Sequence, residues 1–146
     1  MSFFRSMNVS ASGLTAQRLR MDIISQNIAN INTTRTENGE PYRRKTVLFE
    51  ERKEQVPFST VLKNSIEQHN SSGVRVSAIV EDNSDFQTVY DPEHPDADEN
   101  GYVRMPNVNI IEEMVNMISA NRSYEANVTA INTNKSMALK ALEIGR

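Results

Sequence analysis

The chain of 146 residues contains no cysteine. Disulfides, thiolate catalysis and cysteine-ligated zinc are therefore excluded, and the redox compartment is left undetermined. It has little glycine and little proline, five of each. The glycines, Gly13, Gly39, Gly73, Gly101 and Gly145, stand isolated, so no glycine-rich phosphate loop exists. Basic charge is also scarce: 16 Lys and Arg against 19 Asp and Glu give a net charge of -3. Nucleic-acid phosphates demand a Lys/Arg-rich face, and none is present. No apolar run approaches the ~18 residues of a membrane helix. Met1 to Ser6 carries one Arg with no apolar core behind it, so no classical signal peptide is expected.

What charge there is lies unevenly. Between Ser6 and Thr34 only Arg18, Arg20 and Asp22 are charged, and between Met114 and Ala138 only Arg122, Glu125 and Lys135. All five prolines and 25 charged side chains fall between Arg35 and Glu113. The chain divides into three parts: residues 1–34, an N-terminal helix; 35–106, a charged central region; and 107–146, a C-terminal helix.

In the first part Met7, Leu14, Met21 and Ile28 recur every seven residues, with Ala11, Ala16, Leu19, Ile24 and Ile31 widening the stripe. This predicts one amphipathic helix from about Phe3 to Asn30. Gly13 weakens it by about 1 kcal/mol relative to Ala and marks a close helix approach. In the last part Asn109 is an N-cap, with Glu112 at the capping-box position and Glu113 favoured by the helix dipole. Spacings of four and three then run Ile110, Met114, Met117, Asn121, Tyr124, Val128, Ile131, Lys135, Ala138 and Leu142, with Asn121 and Lys135 as polar breaks. Two such stripes at opposite ends of one chain pair most simply as an antiparallel coiled coil.

The remaining helix surface is unusual. A free coiled coil clothes its outer faces in Glu and Lys, but here Asn116, Ser119, Ser123, Asn127, Thr129, Asn132, Thr133, Asn134 and Ser136 occupy such positions. These are weak helix formers. Small uncharged polar groups tolerate burial where they find hydrogen-bond partners, whereas Lys and Glu do not. The pattern suits helices surrounded on several sides by other helices.

In the middle, residues 42–53 and the run Val74, Val76, Ala78, Val80 alternate as strands, and Phe86, Thr88, Tyr90 form a shorter third run. Asn38-Gly39, Pro57, Asp91-Pro92 and Asn100-Gly101 break them. Residues 58–72 remain open between helix and loop. The predicted fold is mainly α with a small β part: long terminal helices paired as an antiparallel coiled coil, and a small central antiparallel sheet with long loops.

Chemistry-bearing clusters are weak. Asp96-Ala97-Asp98-Glu99-Asn100-Gly101 copies the first half of a calcium-binding EF-hand loop, but Asn107 stands at the twelfth position, where a bidentate Glu is needed, with Pro106 before it. An acidic solvated turn is the expectation. His69 and His94 lack a nucleophile-elbow Ser nearby, and Glu50-Glu51 and Glu112-Glu113 are too close in sequence to converge. No catalytic residue, metal or cofactor is assigned.

Two motifs carry a resemblance. Residues 14–18 running into Asn27-Ile28-Ala29-Asn30-Ile31-Asn32-Thr33 resemble the N-terminal motif of the bacterial flagellar axial proteins, the rod, hook and hook-associated family. Residues 113–118, followed by Arg122-Ser123-Tyr124-Glu125-Ala126-Asn127, resemble that family's C-terminal motif, and residues 89–98, 101–103 and 106–109 narrow the likeness to a proximal-rod subunit. The resemblance implies a structural protein assembling helically into the drive shaft that transmits torque and encloses the export channel. Its implied partners are other rod subunits and itself, with inner-membrane ring and rod-junction proteins at the proximal end. It also implies export by the flagellar type III apparatus. The candidate assembly interface is Met7, Leu14, Met21, Ile28, Asn27, Asn30, Asn32, Met114, Met117, Asn121, Tyr124, Val128, Ile131 and Leu142. The competing reading is a soluble coiled-coil adaptor or secretion chaperone.

Overall fold

The computed structural model describes residues 3–52 and 73–144. The undecided stretch 58–72, with His69, lies outside the described residues. The element order is α1 (Phe3–Ala29), β1 (Lys45–Glu51), β2 (Val74–Glu81), β3 (Gln87–Tyr90), β4 (Tyr102–Met105) and α2 (Ile110–Ile144).

Helix α2 has 35 residues and so spans roughly 50 Å. It starts where the sequence places its cap: Asn109 Oδ1 accepts from the amides of Ile111, at 2.9 Å, and Glu112, at 3.4 Å, satisfying two donors with no partner inside the helix. Helix α1 closes through its own asparagine: Asn30 donates to the Gln26 carbonyl from its amide at 3.1 Å and from Nδ2 at 2.9 Å. The helices pack antiparallel, with Asn27 against Glu113 and Ser6 against Asn134.

Apolar burial concentrates where α1 ends and α2 begins: Ile23, Ile24, Tyr42, Val103 and Val108 are buried there, with Ala16 and Ala120 further along the pair. Beyond that, most side chains of α2 are half-buried or exposed.

Instead of the single small sheet expected, two separate hairpins form. β1 and β2 run from Lys45↔Glu81 to Glu51↔Val74 with a bulge between Leu48 and Phe49, and β3 pairs with β4 from Gln87↔Met105 to Tyr90↔Tyr102. The chain leaving β2 is diverted by Asn107, whose Nδ2 donates to the carbonyls of Asp82 at 3.0 Å and Ser84 at 3.3 Å. Strand β4, only four residues with Arg104 inside it, is too short to show a period. The guanidinium of Arg43, 4.3 Å from the Phe86 ring centre, and that of Arg104, at 5.0 Å, tie the second hairpin to the strand-entry segment.

Two-stranded ribbons are marginal alone, and β1–β2 is pinned to α1 at two points. Asn27 brackets the backbone of Lys45, and Ser12 Oγ accepts from the Val74 amide at 3.0 Å. At the second point Gly73 has φ of 109°, and a Cβ there would overlap Ser12 Oγ, so only glycine fits.

The acidic stretch is a turn. Asp98 Oδ1 accepts from the amides of Asn100 and Tyr102, both at 2.9 Å, and Gly101, at φ 77°, lets the chain reverse. Among the described residues no group of three or more His, Asp or Glu is gathered to hold a metal ion.

Candidate assembly interface

Within the chain's own helix pair, Met7, Leu14, Met21 and Ile28 on α1 are half-buried, as are Met117, Tyr124, Val128 and Ile131 on α2. Asn27 is buried, Asn30 half-buried and Asn32 exposed. Met114, Asn121 and Leu142 face away, with Met114 53% and Leu142 73% exposed. The seam of α2 is turned toward Glu113, Ala120, Asn127 and Asn134. Asn127 and Asn134, read from sequence as outer-face residues, therefore lie half-buried against α1. The cause is that α1 supplies polar and small partners at those levels, so the polar stripe turns inward.

The closed end of the pair is held by Asn27, whose carboxamide is fully used. Oδ1 accepts from the Tyr42 hydroxyl at 2.9 Å and the Lys45 amide at 2.9 Å, while Nδ2 donates to the Lys45 carbonyl at 2.8 Å and Glu113 Oε2 at 2.8 Å. Glu113 Oε1 accepts from Arg44 Nε at 2.8 Å and Nη2 at 2.7 Å. Arg44 Nη1 lies 3.6 Å from Asp82 Oδ2, and its amide donates to Asn107 Oδ1 at 2.8 Å. One clasp thus joins α1, the entry to β1, the exit of β2 and the start of α2.

Electrostatics follow from this geometry. Burial, then the charges of Glu113 and Glu81, raise the Tyr42 pKa above the usual phenol range, so the hydroxyl stays a donor. Burial works against the Arg44 charge, but hydrogen bonding and attraction from Glu113 and Asp82 outweigh it, and its pKa rises. The Ser84 amide and hydroxyl, with Arg44, hold the Asp82 carboxyl below its ordinary range.

Sequence reasoning gave Tyr42, Arg44, Asp82 and Asn107 no part in the interface, and read Glu113 as a dipole and motif residue without a buried partner. The available signal was a charged residue and an asparagine, Glu113 and Asn127, fourteen positions apart in one heptad phase, where an apolar seam has neither.

A second surface points outward. Ile111, Met114, Val115 and Ile118 recur at one-turn spacing on α2 and are 70%, 53%, 61% and 55% exposed. A monomer seldom leaves such a stripe uncovered.

Known families match at the two ends that form this pair. Residues 7–35 fit the family described as "Flagella basal body rod protein", and residues 99–144 fit "Flagellar basal body rod FlgEFG protein C-terminal". Along the whole chain, the flagellar basal-body rod protein FlgC of Bacillus subtilis is 53% identical, with both chains covered completely. The FlgC protein of Borreliella burgdorferi is 52% identical over 99% of this chain and 98% of its own, and that of Salmonella typhimurium is 37% identical over all of both. The chain belongs to the FlgC family of flagellar basal-body rod proteins. It is a structural subunit of that rod. The matched stretches cover α1 from Met7 onward and the whole of α2, so most of the family signature lies on the helix pair. Among the described residues no helix is long and apolar enough to cross a membrane.

Proposed function

We propose that the chain works mechanically, without catalysis, as a proximal-rod subunit whose helix pair, residues 1–34 and 107–146, packs among the helices of neighbouring rod subunits. Residues 35–106 form the outer layer. The assembled subunits make the drive shaft that transmits torque and encloses the export channel. Other rod proteins and further copies of this chain are the neighbours, inner-membrane ring and rod-junction proteins meet the proximal end, and the chain reaches this place through the flagellar type III apparatus.

The observation that carries this reading is the outward stripe Ile111, Met114, Val115 and Ile118. Apolar side chains on the face away from α1 add nothing to the fold of one chain, and neighbouring helices that covered them would gain about 25 cal/mol per Å². The test replaces Met114 or Ile118 with Asp in a motile strain. The purified chain should still fold, because both side chains are more than half exposed, while rods and swimming are lost. Glu99→Gln, in the solvated turn, should swim normally. Wild-type swimming by both Asp variants overturns the reading.

A further inference from the structure

The contacts between α1 and α2 repeat in step. Ser6 Oγ accepts from Asn134 Nδ2 at 3.2 Å. Seven residues further along α1 and seven back along α2, Gly13 lies under Asn127, where an added Cβ would stand 3.0 Å from Oδ1. At the next step Arg20 Nη2 donates to Asn116 Oδ1 at 3.3 Å. At the last, Asn27 meets Glu113 at 2.8 Å. Polar or small residues therefore occupy one heptad phase of α1 (Ser6, Gly13, Arg20, Asn27); the partners Asn134, Asn127 and Glu113 share one heptad phase of α2, and the long Arg20 side chain reaches one turn off that phase to Asn116.

We propose that these four rungs are a register code carried within the chain, which fixes the axial offset of α1 against α2. The apolar residues cannot set that offset. Met7, Leu14, Met21 and Ile28 are close in volume, and a slip of seven exchanges one for the next; swaps of this kind in a core are well tolerated. The buried Asn27–Glu113 rung does not survive the slip in either direction. Displaced one heptad toward the C-terminus of α2, Asn27 faces Ala120 and Ser6 faces Ala141. Displaced the other way, Gly13 faces Ala120, leaving a void, and Asn27 runs past the start of α2 toward Pro106. In both cases Asn27 leaves Glu113 and its own buried carboxamide loses its carboxylate partner; in the second, Arg20 comes level with Glu113, but Asn27 is still left without one. Polar residues at single seam positions are known to select register in coiled coils at a cost in stability. Here the selection is intramolecular, so both outer faces are offset correctly before any neighbour arrives.

The cysteine-free sequence makes this measurable by paired substitutions in the full chain. The pair Ser6→Cys with Asn134→Cys reports the native register; Ser6→Cys with Asn127→Cys, or with Ala141→Cys, reports the two slipped ones. Disulfide closure is scored on the monomer band, and Ser6 is cysteine in every arm; Asn127→Cys also removes the second rung, so each arm is compared with the same cysteine pair in the altered background. With the clasp intact, the native pair should close and the slipped pairs should not. In the background Asn27→Leu with Glu113→Leu, closure of the slipped pairs relative to the native one should rise by about tenfold, the equivalent of one buried hydrogen bond to a charged group. Leu14→Ala destabilises the seam without touching a rung and should leave the ratio unchanged. Should the double Leu variant lose its helical circular dichroism, Asn127→Leu, which raises helix propensity, is measured with the native pair and the Ala141→Cys pair, with the same rise expected. An unchanged ratio in the rung variant, or an equal rise with Leu14→Ala, overturns the proposal.

Discussion

Asn27 Nδ2 donates to Glu113 Oε2 at 2.8 Å, across 86 positions of sequence, with each residue only 1% exposed. A buried carboxylate is tolerable only when paired and hydrogen-bonded, and Glu113 meets both conditions through Arg44 and Asn27. The pair closes one end of the antiparallel helices and holds the first hairpin to them.

Asn27→Asp should be more damaging than Asn27→Ala. The aspartate loses both donated bonds and sets a second negative charge against Glu113, whereas alanine only removes bonds. The expected loss for the aspartate is about 3–5 kcal/mol, read from urea unfolding followed by circular dichroism. Equal losses for the two variants would remove the charge from the explanation.

Arg44→Ala and Glu113→Gln break the same ion pair unequally. Without Arg44 the Glu113 charge stays buried and uncompensated, at about 3–5 kcal/mol. With Gln at 113 the shape and most of the hydrogen bonding persist, and Arg44 keeps Asp82 nearby, so the loss should be about 1–3 kcal/mol. Urea midpoints of the two variants give the order directly.

Acid should loosen the clasp through Asp82. Its folded pKa is lowered from 3.8, chiefly by hydrogen bonds from Ser84 with Arg44 adding to them. A depressed pKa contributes stability above the unfolded value and loses it as pH falls through the folded one. Unfolding curves between pH 5 and about pH 2 should therefore decline more steeply for the unaltered chain than for Asp82→Asn. Parallel curves would show that the carboxylate is not linked to folding.

Gly13 tests the close approach of the helices. Ala at this site gains about 1 kcal/mol of helix propensity, but its Cβ would press on Asn127, 3.0 Å from Oδ1 and 3.1 Å from Nδ2. The two effects should nearly cancel in Gly13→Ala. Gly13→Leu should cost about 1–3 kcal/mol by overpacking. Combining Gly13→Ala with Asn127→Ala should release the propensity gain and raise the midpoint of thermal unfolding.

Both helices, the Asn109 cap and the first two strands were legible because their signals are local: a period, a cap residue, an alternation. The helix that the spacing put at about Phe3 to Asn30 runs Phe3–Ala29. The face of α2 turned toward α1 was legible only in part: Met117, Tyr124, Val128 and Ile131 lie half-buried in the pair, whereas Met114, Asn121 and Leu142 are exposed. Apolar Ile111, Met114, Val115 and Ile118 point outward while Glu113, Asn127 and Asn134 turn toward α1, so a rule that turns apolar residues inward misplaces Met114 and the two asparagines. Strand β4 and the division into two hairpins were missed as well, because the diversion after β2 depends on Asn107, which is remote in sequence from the backbone carbonyls it binds.

The sequence by itself determined that the ends are long amphipathic helices poor in charge, since helical periodicity and the cost of burying charge act residue by residue. Its two terminal motifs also determined the family. Only the tertiary structure decided which polar groups meet. Asn27, Tyr42, Arg44, Asp82, Asn107 and Glu113 come from five separate stretches of chain, and a hydrogen bond at 2.8 Å depends on where the backbone brings its partners. Periodicity specifies a face, but the pairing across that face is a property of two elements at once.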